Sequence, residues 1–242
     1  MTSLLIGGIS GGLGKFIVAP ADRIKTIYQS SSATEVSIAD ITTKSKAIYR
    51  SEGVLGFWRG TTMSMYRLMP YDGIKFATYG YIHPYIGSNF VAGAIAGVCG
   101  EVITYPFETL RTLISYRIGH QTTYPQIIRE VGMQRLYHGI TPAIYSTIFY
   151  NGISFGIYNS DALESKVLKG TLGGFFGTTF CYPFETIKRR RQVGLTDTTM
   201  ISVIQKEGIA GLYRGVTINW IKCPIVITVS FMSNEYLNSL LQ

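Results

Sequence analysis

Pro20-Ala21-Asp22-Arg23-Ile24-Lys25, Pro106-Phe107-Glu108-Thr109-Leu110-Arg111 and Pro183-Phe184-Glu185-Thr186-Ile187-Lys188 are three copies of one hexapeptide, P-x-[DE]-x-x-[KR]. The prolines stand 86 and 77 residues apart in a chain of 242 residues. One such hexapeptide says little; three at near-regular spacing mark an internal repeat. The flanks repeat too. Thirteen and nine residues before each proline stand Gly7 and Gly11, Gly93 and Gly97, Gly170 and Gly174. Glycines four apart share one helix face and let another helix approach closely. Beyond each proline lies a second block. Glu52-Gly53 leads to Trp58-Arg59-Gly60, and Glu207-Gly208 to Tyr213-Arg214-Gly215. The middle copy is looser, with Glu130, Gly132 and then Tyr137-His138-Gly139. An apolar stretch follows each closing glycine. Each repeat therefore reads as a glycine-rich apolar helix ending at the proline motif, a basic polar segment, and a second apolar helix. The repeats cover about 1–85, 86–165 and 166–242 of a single domain.

Six spans are expected, at roughly 3–26, 61–82, 88–112, 140–159, 167–190 and 216–238. The fold class is an all-α membrane protein with six transmembrane helices in three pseudo-threefold repeats. Composition agrees: charged residues are 15% of the chain, against roughly 25% in soluble domains. Mean hydropathy is +0.21. None of the spans is a clean apolar run, because Lys15, Arg67, Lys75, Glu101 and Lys222 interrupt them. Such charges are tolerable where they face a water-filled cavity. The apolar stretch from Met1 to Ala19 lacks a basic n-region and carries the repeat's glycines, so it reads as part of the fold.

Net charge is +8, and its distribution decides what it means. The polar segments 21–59, 107–138 and 184–214 hold 16 of the 22 lysines and arginines, while the connection 83–87 has none. All three long connections then lie on the positive interior side, and both termini on the opposite side. The arginine run 189–191 ends a span, where juxtamembrane charge is ordinary. This pattern points away from nucleic acid. Cys99, Cys181 and Cys223 show no CxxC spacing and the histidines do not cluster, so neither a disulfide framework nor a metal site is expected. No nucleophile–base pair or phosphate loop suggests an enzyme.

The proline motif, the glycine offset and the E-G…[WY]-R-G block together resemble the mitochondrial carrier family, along the whole chain. Val18–Lys25, Met69-Pro70-Tyr71, Leu136–Gly139, 219–224 and 229–231 are similar to segments of its coenzyme A carriers, and 188–192 to adenine-nucleotide carriers. The resemblance implies a six-helix barrel around a central site, opening alternately to cytosol and matrix and exchanging small anionic metabolites. It implies a monomer in the mitochondrial inner membrane, or that of a related organelle, with both termini toward the intermembrane space. It implies no cofactor, with cardiolipin as bound lipid. It pairs Asp22 with Arg111, Glu108 with Lys188 and Glu185 with Lys25 as a matrix gate, with Gln29 and Gln192 as braces. The family's second charged network is reduced, to Tyr79-Gly80-Tyr81-Ile82-His83 and its counterparts at 158–162 and 234–238.

Equal offsets from the repeat landmarks define two layers of candidate substrate residues. Seven residues beyond the closing glycines stand Arg67, Ser146 and Lys222; five before the prolines stand Lys15, Glu101 and Thr178. Two cations and a hydroxyl at one depth suit a phosphate-bearing anion: arginine offers a planar fork and lysine a compact charge. Thr147 neighbours Ser146. Tyr71, Tyr150 and Asn151 lie a turn further on, suited to stacking and reading a base, and Lys75 shares the Tyr71 face. Glu101 is set to pair with Lys15 or Lys75. The resemblance also assigns cardiolipin to the helix starts at Gly53, Gly60, Gly139, Gly208 and Gly215, where backbone N–H groups attract phosphate. The leading function is exchange of coenzyme A or adenosine 3′,5′-diphosphate. The second is an adenine-nucleotide carrier of ADP/ATP or ATP-Mg/phosphate type. A third, of another class, is a non-transporting membrane adaptor on a carrier scaffold.

Overall fold

The structure is a computed structural model that describes residues 2–30, 38–119, 122–158 and 166–240. Its helices are α1 (Thr2–Ser30), α2 (Ile38–Glu52), α3 (Thr61–Ile86), α4 (Asn89–Tyr116), α5 (Tyr124–Val131), α6 (Ile140–Tyr158), α7 (Lys166–Gln192), α8 (Met200–Leu212) and α9 (Val216–Leu240). Short 3-10 turns, Val54–Trp58 and Gln134–Tyr137, follow α2 and α5. Long, short, long recurs three times, matching the repeat read from the sequence. No strand occurs among the described residues.

The proline-motif helices outrun their expected ends. α1, α4 and α7 carry Pro20, Pro106 and Pro183 inside them and continue to Ser30, Tyr116 and Gln192. A proline removes one helical hydrogen bond and crowds the carbonyl four residues back, which bends a helix without obliging it to stop. Two of the short helices begin on capping boxes: Thr123 with Gln126 at α5 and Thr199 with Ser202 at α8. Each then seats an apolar face on its long neighbour. Ile127 and Leu136 bury against Leu110, Leu113 and Ile114 of α4; Val203 and Leu212 bury against Ile187 of α7.

Glutamates of the second block fasten these elements. Glu52 receives Arg23 at 2.6 Å, Arg59 at 3.3 Å and the Gly119 N–H at 2.8 Å. Glu207 likewise receives Arg190 at 2.7 Å and Arg214 at 3.0 Å. The middle copy, Glu130 with Arg117 at 2.7 Å, is more exposed. Arg190 is buried in this clamp, so the basic run is not the surface charge that its position suggested.

Packing passes from each repeat to the next. α3 lies along α4, α6 along α7, and α9 returns against α1. The closing glycines make these joints. Gly60, Gly139 and Gly215 have φ of +89°, +85° and +80°. A Cβ on Gly60 would stand 3.2 Å from the Arg111 carbonyl oxygen, and one on Gly139 3.0 Å from that of Lys188. One on Gly215 would lie 3.9 Å from Lys25 Cγ. Each repeat's closing glycine thus abuts the proline-motif base of the next.

The glycine pairs diverge. Gly97 is held against Asn151 and Thr147 of α6, as close helix approach requires. Gly170 and Gly174 border open space instead, because α9 packs chiefly on α1. Nothing of the packing of Gly7 and Gly11 is among the described residues. One described helix, Asn89–Tyr116, is long and apolar enough to cross a membrane by composition.

Candidate functional site

The proline places its acid two residues on and its base five on, so the two share a helix face. α1, α4 and α7 turn these faces toward one another. Arg111 Nη2 meets Asp22 Oδ2 at 3.2 Å, and Lys25 Nζ meets Glu185 Oε1 at 3.3 Å. The third expected pair is replaced. Glu108 is bound by Arg189 at 2.6 Å and Arg67 at 2.9 Å, while Lys188 turns to Glu101 at 2.7 Å. The reason is register: Arg189 lies one turn beyond Glu185, also reaches it at 3.7 Å, and carries a longer forked donor than Lys188. Gln29 and Gln192 do not touch the bases of the motif. They bond Thr186 and Thr109, each at 3.2 Å, which in turn donate to the Leu212 and Leu136 carbonyls.

Above this ring lies a cavity of about 360 Å³. All six ring residues line it, and so do Lys15, Arg67, Tyr71, Ser146, Thr147, Tyr150, Asn151 and Lys222. Lys75 does not. Its ammonium stands 5.9 Å from the Tyr71 ring centre, farther than the Arg67 guanidinium, which lies over that ring at 4.9 Å. Glu101 pairs with neither Lys15 nor Lys75; it takes Arg67 and Lys188. Lys222 is held by Asp22 at 2.7 Å. The two cations expected for substrate thus rest on carboxylates, two of which belong to the proline motif. Burial explains it: Glu101 is 3% and Glu108 2% exposed, and an unpaired buried carboxylate costs several kcal/mol.

Arg189, 6% exposed, is the charged cavity residue that sequence reasoning passed over. Its spacing of four from Glu185 was the available signal. Among the lining residues, seven lysines and arginines face four carboxylates.

The glycines assigned to lipid fall into two sets. Gly60, Gly139 and Gly215 are packed at inter-repeat joints, while Gly53 and Gly208, at φ of +72° and +69°, border open space. Gly60 opens α3 without a side-chain cap, leaving its first-turn N–H groups to other acceptors. At the opposite end of α3, Tyr79 and His83 both bond Asn89 Oδ1, at 2.8 Å and 2.6 Å, where charged pairs stand in the family. The counterpart at 158–162 lies outside the described residues beyond Tyr158, and within α9 only the Tyr236 side chain is described at 234–238; the Cys223 side chain is not described, and Cys99 and Cys181 are free.

Three helical repeats joined head to tail about one charged cavity define a small-solute carrier. The sequence profile described as mitochondrial carrier protein matches residues 1–89, 82–162 and 161–242. The chain belongs to the mitochondrial carrier family. It is 32% identical to the mitochondrial coenzyme A transporter of Xenopus tropicalis, covering 100% of this chain and 86% of that protein. It is 30% identical to the Homo sapiens protein of the same name, over 100% and 88%. Mitochondrial substrate carrier family protein P of Dictyostelium discoideum is 28% identical, over 98% and 93%.

Proposed function

We propose that this protein is an antiporter of the mitochondrial inner membrane that exchanges phosphate-bearing nucleotide-type anions, coenzyme A or adenosine 3′,5′-diphosphate, by alternating access. The observation that carries this reading is the excess of three cations over carboxylates along the cavity wall. A polyanion of similar charge restores the balance; a monoanion leaves most of it unmet. The names of the relatives favour coenzyme A over other polyanions. Arg67 and Lys222 exchange their carboxylate partners for phosphate oxygens, while Ser146, Thr147 and Asn151 offer hydrogen bonds and Tyr71 and Tyr150 flat surfaces.

The cyclic packing of the six long helices supports a barrel of six spans, with charges turned inward and lipid outside. The proline-motif ring is its matrix gate. The Tyr79–His83–Asn89 cluster, which contains no lysine, arginine or carboxylate, makes the cytosolic closure the weaker of the two. Cardiolipin phosphates sit at the helix starts near Gly60, Gly139 and Gly215, with Gly53 and Gly208 beside them. The working unit is a monomer with both termini toward the intermembrane space.

Thermal unfolding of the purified protein in detergent tests the substrate class. A ligand at a hundredfold its Kd stabilises by about 2.7 kcal/mol. Coenzyme A and adenosine 3′,5′-diphosphate should raise the midpoint; malate and glutamine should not. A rise with ADP or ATP alone would reassign the protein to adenine-nucleotide exchange. No rise with any nucleotide would remove the reading.

A further inference from the structure

The glycine pair of the third repeat does something other than admit a helix. A Cβ on Gly170 or Gly174 would meet no atom within 4 Å, whereas one on Gly97 would collide with the Asn151 amide. Gly170 and Gly174 stand four apart on one face of α7. They form one wall of a side chamber of about 270 Å³. Val18 of α1 and Val226 of α9 supply its apolar side chains. Lys15, Asp22, Tyr150, Thr178 and Lys222 line both this chamber and the main cavity, so the two spaces share a mouth set with two ammonium groups and one carboxylate. Lys222 is bound to Asp22, and no carboxylate among the described residues lies within ion-pair distance of Lys15.

We infer that this chamber receives the uncharged arm of a two-part substrate whose phosphates bind at the Lys15–Lys222 mouth. The chemistry of the walls selects the arm. Bare glycine backbone and two valines accept a slim chain with little charge. Among the described residues that line the chamber, Lys15 and Lys222 at the mouth are the cations, which leaves a second polyanionic group unmatched deeper in. The Tyr150 and Thr178 hydroxyls can bond amides along such a chain; Thr178 already donates to the Gly174 carbonyl at 2.6 Å and keeps its acceptor lone pairs. Continuity with the main cavity favours the substrate itself over a lipid chain as occupant.

The inference rests on the substrate class proposed above, and the two proposed substrates separate it from that class. They share the adenosine 3′,5′-diphosphate unit, and only coenzyme A carries the pantetheine arm. The test is exchange by the full chain in liposomes, read as the ratio of the KM for coenzyme A to that for adenosine 3′,5′-diphosphate. Gly174→Leu fills the chamber and should raise this ratio about tenfold, the scale of a few misplaced methylenes in a pocket. Gly174→Ala adds one methyl in open space and favours the helix, so it folds even if the leucine variant does not. It should raise the ratio less, in the same direction. An unchanged ratio in the alanine variant, with both substrates still exchanged, overturns the inference and leaves the substrate class standing; a lipid-filled chamber gives that result. A wild-type protein that exchanges neither compound overturns both.

Discussion

Glu108 sits among more cations than any other acid of the ring, and its partners decide which substitutions compensate one another. Glu108→Lys should abolish exchange, because it sets a cation against Arg189 and Arg67 in a buried place; losing such a pair costs about 3–5 kcal/mol. Adding Arg189→Glu should restore part of the activity, and adding Lys188→Glu distinctly less. Equal rescue by both would contradict the pairing described. Glu52 gives a pH signature outside the spans. Burial alone would raise its carboxyl, but the Arg23 bond, the Gly119 N–H and the charges of Arg23 and Arg59 outweigh burial and hold it below the ordinary value. A depressed folded-state value means stabilisation that is complete above the unfolded value of about 4.3 and is lost as pH falls through the folded one. The gap in unfolding temperature between wild type and Glu52→Gln should therefore be wide at pH 7 and narrow toward pH 3; a constant gap would refute it. At this scale the sequence was only partly legible. Equal offsets gathered Lys15, Arg67, Ser146 and Lys222 into one cavity. They could not reveal that Arg189 displaces Lys188, because that choice depends on side-chain reach across helices.

Elements were more legible than partners, since repetition supplies three readings of each. The closing glycines and the long–short–long order recur in all three repeats. What one copy does differently is not written in the offset: Gly97 packs against α6, whereas Gly174 faces open space, because the arrangement of distant helices decides it. The joints predict a cost. Gly139→Ala combines positive φ with a Cβ only 3.0 Å from the Lys188 carbonyl oxygen. It should destabilise by about 1–3 kcal/mol and lower the unfolding midpoint in detergent. The cap at α8 predicts a smaller one. Thr199→Ala removes the acceptor for the Ser202 N–H, 3.2 Å away, and should cost about 1 kcal/mol. Unfolding midpoints for the two variants in the reverse order would contradict the joint.

Over the whole molecule, the ring and the cavity form one electrostatic unit. Arg67 and Lys222 bind Glu108 and Asp22, so an entering anion competes directly with the ring for its cations. The central claim is that this cavity binds and moves a polyanion. The most direct measurement is uptake of labelled coenzyme A into coenzyme A-loaded liposomes by the purified wild type and by Arg67→Ala and Lys222→Ala. The account predicts exchange by the wild type and a loss of at least tenfold in each variant, the scale of one lost charge-assisted contact of about 1.5–3 kcal/mol. Undiminished uptake in both variants, or exchange of dicarboxylates or amino acids with none of coenzyme A, would contradict it.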